Sequence, residues 1–160
     1  MEHVNIRAAG EADLDAIVEL QARSIMTLGI QAYDLETLKA WARMGRQIRH
    51  NLLESGTFFV AEVNGAILGV AGWTADSREL DSAWPRYVFV LPEAAGQGIG
   101  RRLMAAIERS AIAASRPRLQ LWSSLNAVRF YQAIGFQKVR SVSWPVGGGI
   151  EMEHLLMEKG

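Results

Sequence analysis

Three alternate glycines, Gly96, Gly98 and Gly100, stand between an apolar run at 87–91 and a segment of helical periodicity at 98–114. In that segment Ile99, Leu103, Ala106 and Ile107 fall on one face, and Arg101, Arg102, Glu108 and Arg109 fall mostly outside it. Pro117 closes the helix, and Leu119 and Leu121 mark a further strand. A strand, a crossover helix and a second strand of one sheet run parallel, with a right-handed connection. Upstream, Asn64-Gly65 separates strand-like runs at 57–63 and 66–73. That dipeptide tolerates the positive φ of a two-residue hairpin, so these two strands are antiparallel. A chain carrying both signals is restricted to a mixed sheet.

The remaining elements follow from periodicity and punctuation. Residues 4–8 read as a first strand. A helix at 11–26 carries Leu14, Ile17, Val18, Ala22 and Ile25 on one face, with Gly10 as N-cap and Asp13 in the first turn, where an acid suits the dipole. A second helix starts at Asp34 and carries Leu35, Leu38, Trp41 or Ala42, Ile48 and Leu52, with Gly45 as a point of bending. The polar stretch 74–82 reads as a loop, and Pro85 and Pro92 bound the short central strand at 87–91. Ser124 caps a helix through Ile134, which Gly135 ends as a left-handed C′ residue. Strands at 136–142 and 150–157 close the chain around 146–149. The order β-α-α-β-β-β-α-β-α-β-β predicts an α/β (α+β) fold, a mixed sheet with helices on both faces.

Composition narrows the function classes. The 160 residues are 49% hydrophobic, enough for a packed core and too apolar for a disordered chain. Seventeen basic residues balance seventeen acidic ones, whereas a phosphate-neutralising face normally leaves a basic excess, so no nucleic-acid partner is expected. Cysteine is absent, which removes disulfides, thiolate metal sites and a cysteine nucleophile. Three scattered histidines, His3, His50 and His154, make no metal cluster, and no metal is expected. No apolar run has the length of a membrane helix, and the opening residues have no signal-peptide core, so no membrane partner is expected. The expectation is a single cytoplasmic domain spanning 1–160.

The glycine turn carries the chemistry. Glycines let a ligand approach the backbone, and a helix N-terminus offers unpaired N–H groups and the positive end of its dipole. The turn thus reads as a pyrophosphate cradle with Arg101 adding charge; the plain alternative is a tight strand-to-helix turn. A dinucleotide fingerprint fits poorly, because Arg101 stands where its third glycine belongs and the next strand ends at Leu121-Trp122 without an acid. A P-loop needs Gly-Lys-Ser/Thr, and the residues are Gly98-Ile99-Gly100.

Two linked motifs resemble the GNAT superfamily of acyl-CoA-dependent N-acyltransferases. Val90-Leu91-Pro92-Glu93, then Ala95-Gly96-Gln97-Gly98-Ile99-Gly100, is similar to its central signature. Ala127-Val128-Arg129-Phe130-Tyr131 followed by Gly135-Phe136 resembles its second. The likeness extends to Ile6-Arg7-Ala8-Ala9 and Asp13-Leu14-Asp15-Ala16-Ile17, and so covers nearly the whole chain. Two departures stand out: Ala95 replaces the usual Arg or Gln, which removes a side chain but keeps its N–H, and Ser124 replaces the usual asparagine.

The resemblance implies a mostly antiparallel sheet of about seven strands, flanked by four helices, with a splayed parallel pair in the middle. It implies acetyl-CoA as co-substrate. Phe89 and Val90 would pair with the pantetheine arm, an N–H there facing the thioester oxygen. Residues Ala95, Gly96, Gln97, Gly98, Ile99, Gly100 and Arg101 would hold the pyrophosphate, with Asn126 and Phe130 flanking the cofactor. Tyr131 is similar to the family's general acid, which protonates the departing thiolate. No residue is marked as general base; Glu62, Glu79, Asp81 and Glu93 are candidates, and water or a neutral amine needs none of them. The acceptor, a small-molecule or peptide amine, would enter an aromatic region, for which Tyr33, Trp73 and Trp84 are the expected contacts, with Trp144 nearby and Trp41 and Trp122 as core. Glu79, Asp81 and Glu93 would draw a cationic amine. A non-catalytic acyl-CoA sensor and a nucleotide-binding α/β protein of another family are the competing readings. A homodimer through the late strands, with Trp144, Leu155, Leu156 and Met157, is expected by analogy.

Overall fold

A computed structural model describes residues 3–45 and 57–160. Its sheet has seven strands in the order β1-β2-β3-β4-β5-β7-β6. These are β1 (Asn5–Ala8), β2 (Phe58–Val63), β3 (Ala66–Asp76), β4 (Glu79–Val90), β5 (Arg118–Ser124), β6 (Gln137–Pro145) and β7 (Glu151–Lys159). Every neighbouring pair is antiparallel except β4 and β5. The four α-helices among the described residues are α1 (Leu14–Leu28), α2 (Leu35–Gly45), α3 (Ile99–Ala113) and α4 (Val128–Ala133). The mixed sheet and its single parallel pair follow the expectation. The Ile48 and Leu52 positions assigned to the second helix lie outside the described residues.

Strand alternation divides the core. On one face Phe58, Val60 and Val70 pack with Ile17 and Leu20 of α1. On the other, Ala61, Ala71 and Trp73 pack with Leu103, Met104, Ile107 and Ala111 of α3. A smaller cluster joins Ala40 of α2 to Val146 and Met152 near the β6–β7 connection.

The stretch 74–82 departs from its expected loop. β3 and β4 continue through it as a hairpin, with Thr74 opposite Trp84 and Ala75 opposite Ala83, and only Ser77 and Arg78 left at the tip. The polar residues misled because this end of the hairpin is partly solvated and held by specific bonds. Ser82, fully buried, donates its hydroxyl to Glu79, and Gln120 donates its amide to both. Arg116 caps three carbonyls there, those of Asp76, Glu79 and Ser82. Helical starts also differ: short 3₁₀ turns at Glu11–Asp13 and Leu125–Ala127 precede α1 and α4.

One ion cluster fixes β1 against the start of α1. Arg7 donates to both Asp13 carboxylate oxygens at 2.8 and 2.9 Å and reaches Glu62 on β2 at 3.1 Å, while Asp13 also accepts from the Gly10 N–H at 2.8 Å. The Arg7 guanidinium first, with the Gly10 amide adding to it, holds the Asp13 carboxyl below its usual range despite the opposing cost of burial. Its folded pKa is therefore below the unfolded one, so the stability it contributes is present at neutral pH and is lost as pH falls through the folded value. Asp13→Asn is expected to cost about 1 kcal/mol at pH 7, the scale of a partly exposed charge-assisted bond. Urea unfolding of both proteins at pH 7 and pH 3 checks this; a difference that persists unchanged in acid would contradict it.

Candidate active site

The cleft opens where β4 and β5 part. Their pairing is confined to Ser82 with Arg118 and Ala83 with Leu119. Pro85, with no N–H for a ladder, follows two residues later. Then two residues of β4, Tyr87 and Val88, oppose the single residue Ala71 of β3 between the Arg86–Gly72 and Phe89–Val70 pairs. Tyr87 adopts φ 56°, the left-handed conformation of the first residue of a β-bulge. The bulge bends β4 away from β5, and a cavity of about 240 Å³ occupies the gap. Pro85 to Phe89 line it from β4, and Leu121, Trp122 and Ser124 from β5; Ile25, Trp41, Met44, Ala127, Tyr131, Trp144, Val146 and His154 complete the described lining.

The glycine turn lies at the end of β4. Gly96 and Gly98 adopt φ 78° and 84°, and a Cβ on either would meet nothing within 4 Å, so both are required by conformation and leave the space above the turn open. Gly98 is the N-cap of α3, and no side-chain oxygen caps that helix. Its first N–H groups therefore face the open side. Ala95, Gln97 and Arg101 are exposed around the turn, while the Ile99 side chain is buried and contributes only its amide. Gly100 has a different reason: a Cβ there would lie 3.0 Å from Cζ of Phe130. Phe130 thus seats α4 on the first turn of α3, and it fixes its neighbour Tyr131 relative to the cradle.

Tyr131 is 6% exposed and lines the cavity. Its ring meets Phe130 and Phe136 edge-on, at 5.1 and 5.5 Å. Burial pushes the phenol pKa well above its ordinary value, and no described residue hydrogen-bonds the hydroxyl. Asn126 is exposed on the turn before α4. Phe89 reaches the cavity and packs 5.8 Å from Trp41, and Val90 follows it along the splayed strand opposite Gly69.

The acceptor-side residues need correction. Trp73 points to the other face, buried against α3, where its indole N–H donates to Ser110 at 2.9 Å. Tyr33 does not line the cavity: its hydroxyl accepts the Leu125 N–H at 2.8 Å and donates to the Glu153 carbonyl at 2.7 Å, pinning the connection between α1 and α2 to the turn before α4 and to β7. Trp84 lies behind Trp122, ring centres 4.7 Å apart. The indoles that do line the cavity are Trp41, Trp122 and Trp144, two of which read as plain core in the sequence. Trp144 lies 4.4 Å from Trp122 and donates its N–H to His154 Nε2 at 3.3 Å. That bond leaves the His154 proton on Nδ1, which donates to the Met152 carbonyl at 3.1 Å. Burial lowers the His154 pKa, so the imidazole is neutral.

None of the four carboxylates weighed as bases lines the cavity. Glu62 pairs with Arg7, Glu93 with Arg23, Asp81 with Arg118, and Glu79 with Ser82 and Gln120. Among the described residues the charged group that does line it is Arg86, which the sequence reading passed over. Its signal was a lone cation between Trp84-Pro85 and Tyr87-Val88, inside a strand.

Residues 54–138 match the family model of the GNAT acetyltransferase domain. The chain belongs to the GNAT acetyltransferases. An uncharacterised N-acetyltransferase of Methanocaldococcus jannaschii is 30% identical over 140 residues, which is 83% of this GNAT chain and 60% of that relative. A GCN5-related N-acetyltransferase from Rhodopseudomonas palustris superposes with a TM-score of 0.85 at 22% identity, covering 99% of this chain and 96% of the other. PaiA N-acetyltransferase from Thermoplasma acidophilum, crystallised with coenzyme A, gives 0.80 at 20% identity over 98% of each chain. At these identities the solved structures share the GNAT fold with this chain.

Removing the Trp144 indole frees His154 Nε2 to accept a proton. In Trp144→Phe the His154 pKa is expected to rise, because the lost indole N–H favoured the unprotonated Nε2, while the lowering by burial remains. An NMR titration of the imidazole C–H signals reads the change; an unaltered pKa would assign the whole depression to burial.

Proposed function

We propose that this GNAT domain, spanning 1–160, is an N-acetyltransferase that moves acetyl from acetyl-CoA to a primary amine by direct attack in a ternary complex. The observation that carries the reading is the conjunction of three features along one cleft: an uncapped glycine turn, a strand edge without a partner and a buried phenol free of protein hydrogen bonds. The residues fit an acyl-CoA. The open space over Gly96 and Gly98 and the N–H groups of α3 suit a pyrophosphate, with Arg101 beside them. Ala95 still offers its amide. The edge of β4 at Phe89 and Val90 suits an extended chain bearing amides, and Phe130, which packs on Gly100, and the exposed Asn126 would flank it. The coenzyme A bound to the Thermoplasma structure of the same fold supports this cofactor class.

The bound co-substrate supplies an acetyl group activated as a thioester. The chain's own part is to hold the amine in line, exclude water with its indoles and move one proton. As the N–C bond forms and the C–S bond breaks, Tyr131 passes its phenolic proton to the departing sulfur and recovers one from the amine nitrogen, so protons balance. Burial keeps the phenol protonated far above neutral pH. The same dry surroundings destabilise a thiolate, so donor and acceptor are raised together. The neutral, doubly engaged His154 is not a free base, and the amine reacts in its neutral form.

Calorimetric titration with acetyl-CoA, using NAD and ATP as controls, tests the cofactor. Selective binding of acetyl-CoA is expected; preference for NAD or ATP would overturn the reading. Once an acceptor is in hand, Tyr131→Phe is expected to lower kcat by about 100-fold or more with little change in acetyl-CoA affinity. Turnover surviving within a few-fold would leave Tyr131 a packing residue. The wild-type kcat should show no basic limb from Tyr131 below pH 10, because its pKa is raised; its acid limb should follow the acceptor amine.

A further inference from the structure

Arg86 is a half-buried cation with no anionic partner among the described residues. Its Nε donates to Thr74 Oγ1 at 2.7 Å, and its Cζ lies 5.2 Å from the centre of the Trp122 ring. These contacts fix the stem and one face of the guanidinium, and no described residue accepts from either terminal nitrogen. Arginines removed from water are normally paired, because desolvating a charge is costly. Here desolvation is the main influence on the group, and it lowers the pKa. Arginine nevertheless stays charged. Among the described residues the other titratable groups lining the cavity are Tyr87, Tyr131 and His154, and none is a carboxylate.

We infer that Arg86 is the specificity residue of the acceptor site and binds a carboxylate, so that the acceptor is a free α-amino acid. This rests on the acetyltransferase reading and deepens it. The terminal nitrogens form the planar fork that takes a carboxylate through two parallel bonds. The support is rigid, a strand on one side and an indole on the other, as specific recognition requires. Beyond Arg86 the walls are apolar and aromatic, from Trp41, Trp122, Trp144 and Val146. They accept a hydrophobic side chain, and the described residues offer no acid to a second positive charge. A diamine or polyamine would place its distal cation against Arg86. The expectation that acids draw a cationic amine is reversed by this placement. A peptide N-terminus carries its nearest carboxylate only as a side chain or a distant terminus, which a cavity of about 240 Å³ does not reach around.

The test uses the full chain with coenzyme A present and follows tryptophan fluorescence, because Arg86 lies against Trp122. The probes are the common L-amino acids and their carboxamides, which share every group except the charge. Saturable binding of one or more apolar amino acids is expected, about tenfold or more tighter than the matching amides. Arg86→Met should abolish that preference, weakening the acid about tenfold to a hundredfold while leaving the amide nearly unchanged. Arg86→Lys should restore part of it. Circular dichroism and acetyl-CoA titration of each variant separate a local change from unfolding. Equal binding of acid and amide, an acid preference that survives Arg86→Met, or no response to any amino acid would each overturn the inference. Acetyl-CoA binding is read separately: intact binding with no amino-acid response sinks only the acceptor class, and Arg86-dependent amino-acid binding without acetyl-CoA binding sinks the transferase reading instead.

Discussion

The cleft exists because β4 gives up β5 as a partner after Ala83, in the middle of a continuous sheet. A central strand does not release its neighbour without cause, since buried N–H and C=O groups left unpaired cost about 1–3 kcal/mol each. Two local features force the break. Pro85 offers no donor, and Tyr87 turns the chain through a left-handed conformation that costs a residue with a Cβ roughly 1–2 kcal/mol. The Tyr87 ring offsets that strain by packing 6.0 Å from Phe58 in the α1-facing core. The bulge thereby does three things at once. It opens the cavity, leaves a strand edge that an extended amide-bearing ligand can satisfy, and puts Arg86 and Phe89 on its wall.

The two halves of the cleft are registered by different means. On the α3 side, the missing side chain of Gly100 lets Phe130 sit on the first helical turn, so the phenol at Tyr131 and the glycine cradle move as one body. On the α1 side, Tyr33 ties the chain before α2 to the start of α4 and to β7 through its two hydrogen bonds. Burial pushes its pKa up to about 12, so the hydroxyl remains a donor to Glu153 throughout the physiological range. It also carries Trp41, which meets its ring edge-on at 6.1 Å and reaches across to Phe89. The tyrosine read from the sequence as an acceptor contact is thus a strut that holds a cavity-lining indole in place.

Legibility in the sequence followed the range of the interactions. The hairpin at Asn64-Gly65, the crossover from β4 through α3 to β5 and the helix that carries Tyr131 were readable because each is set by local chemistry: turn residues, apolar period, glycine conformation. The extension of the β3–β4 hairpin was not, because its residues are polar and their order comes from Arg116, forty residues away from Asp76, and from Gln120. That omission hid the surroundings of Arg86. Thr74, which steers Arg86, belongs to the part read as loop, and Trp84, which backs Trp122, stood just beyond it, outside the short strand read at 87–91. Likewise Trp84 could not be sorted by face from the run at 87–91, since the bulge at Tyr87 resets the alternation of β4 and no local residue announces a bulge when its left-handed position is not glycine.

A fixed cation in an acetyltransferase cleft bears on the base that neither sequence nor geometry supplies. An ammonium must lose a proton before it attacks, and the carboxylates weighed for that role are all engaged elsewhere. In a free amino acid the carboxylate stabilises the adjacent ammonium and holds its pKa up. Pairing that carboxylate with Arg86 cancels the stabilisation, as amide formation does in a peptide, where the α-amino pKa is about 7.7–8.0. Desolvation by the surrounding indoles lowers it further, because it penalises the charged form. Recognition and activation then become one interaction: the guanidinium that selects the acceptor also brings its amine to the neutral form near physiological pH, and a dedicated general base is unnecessary.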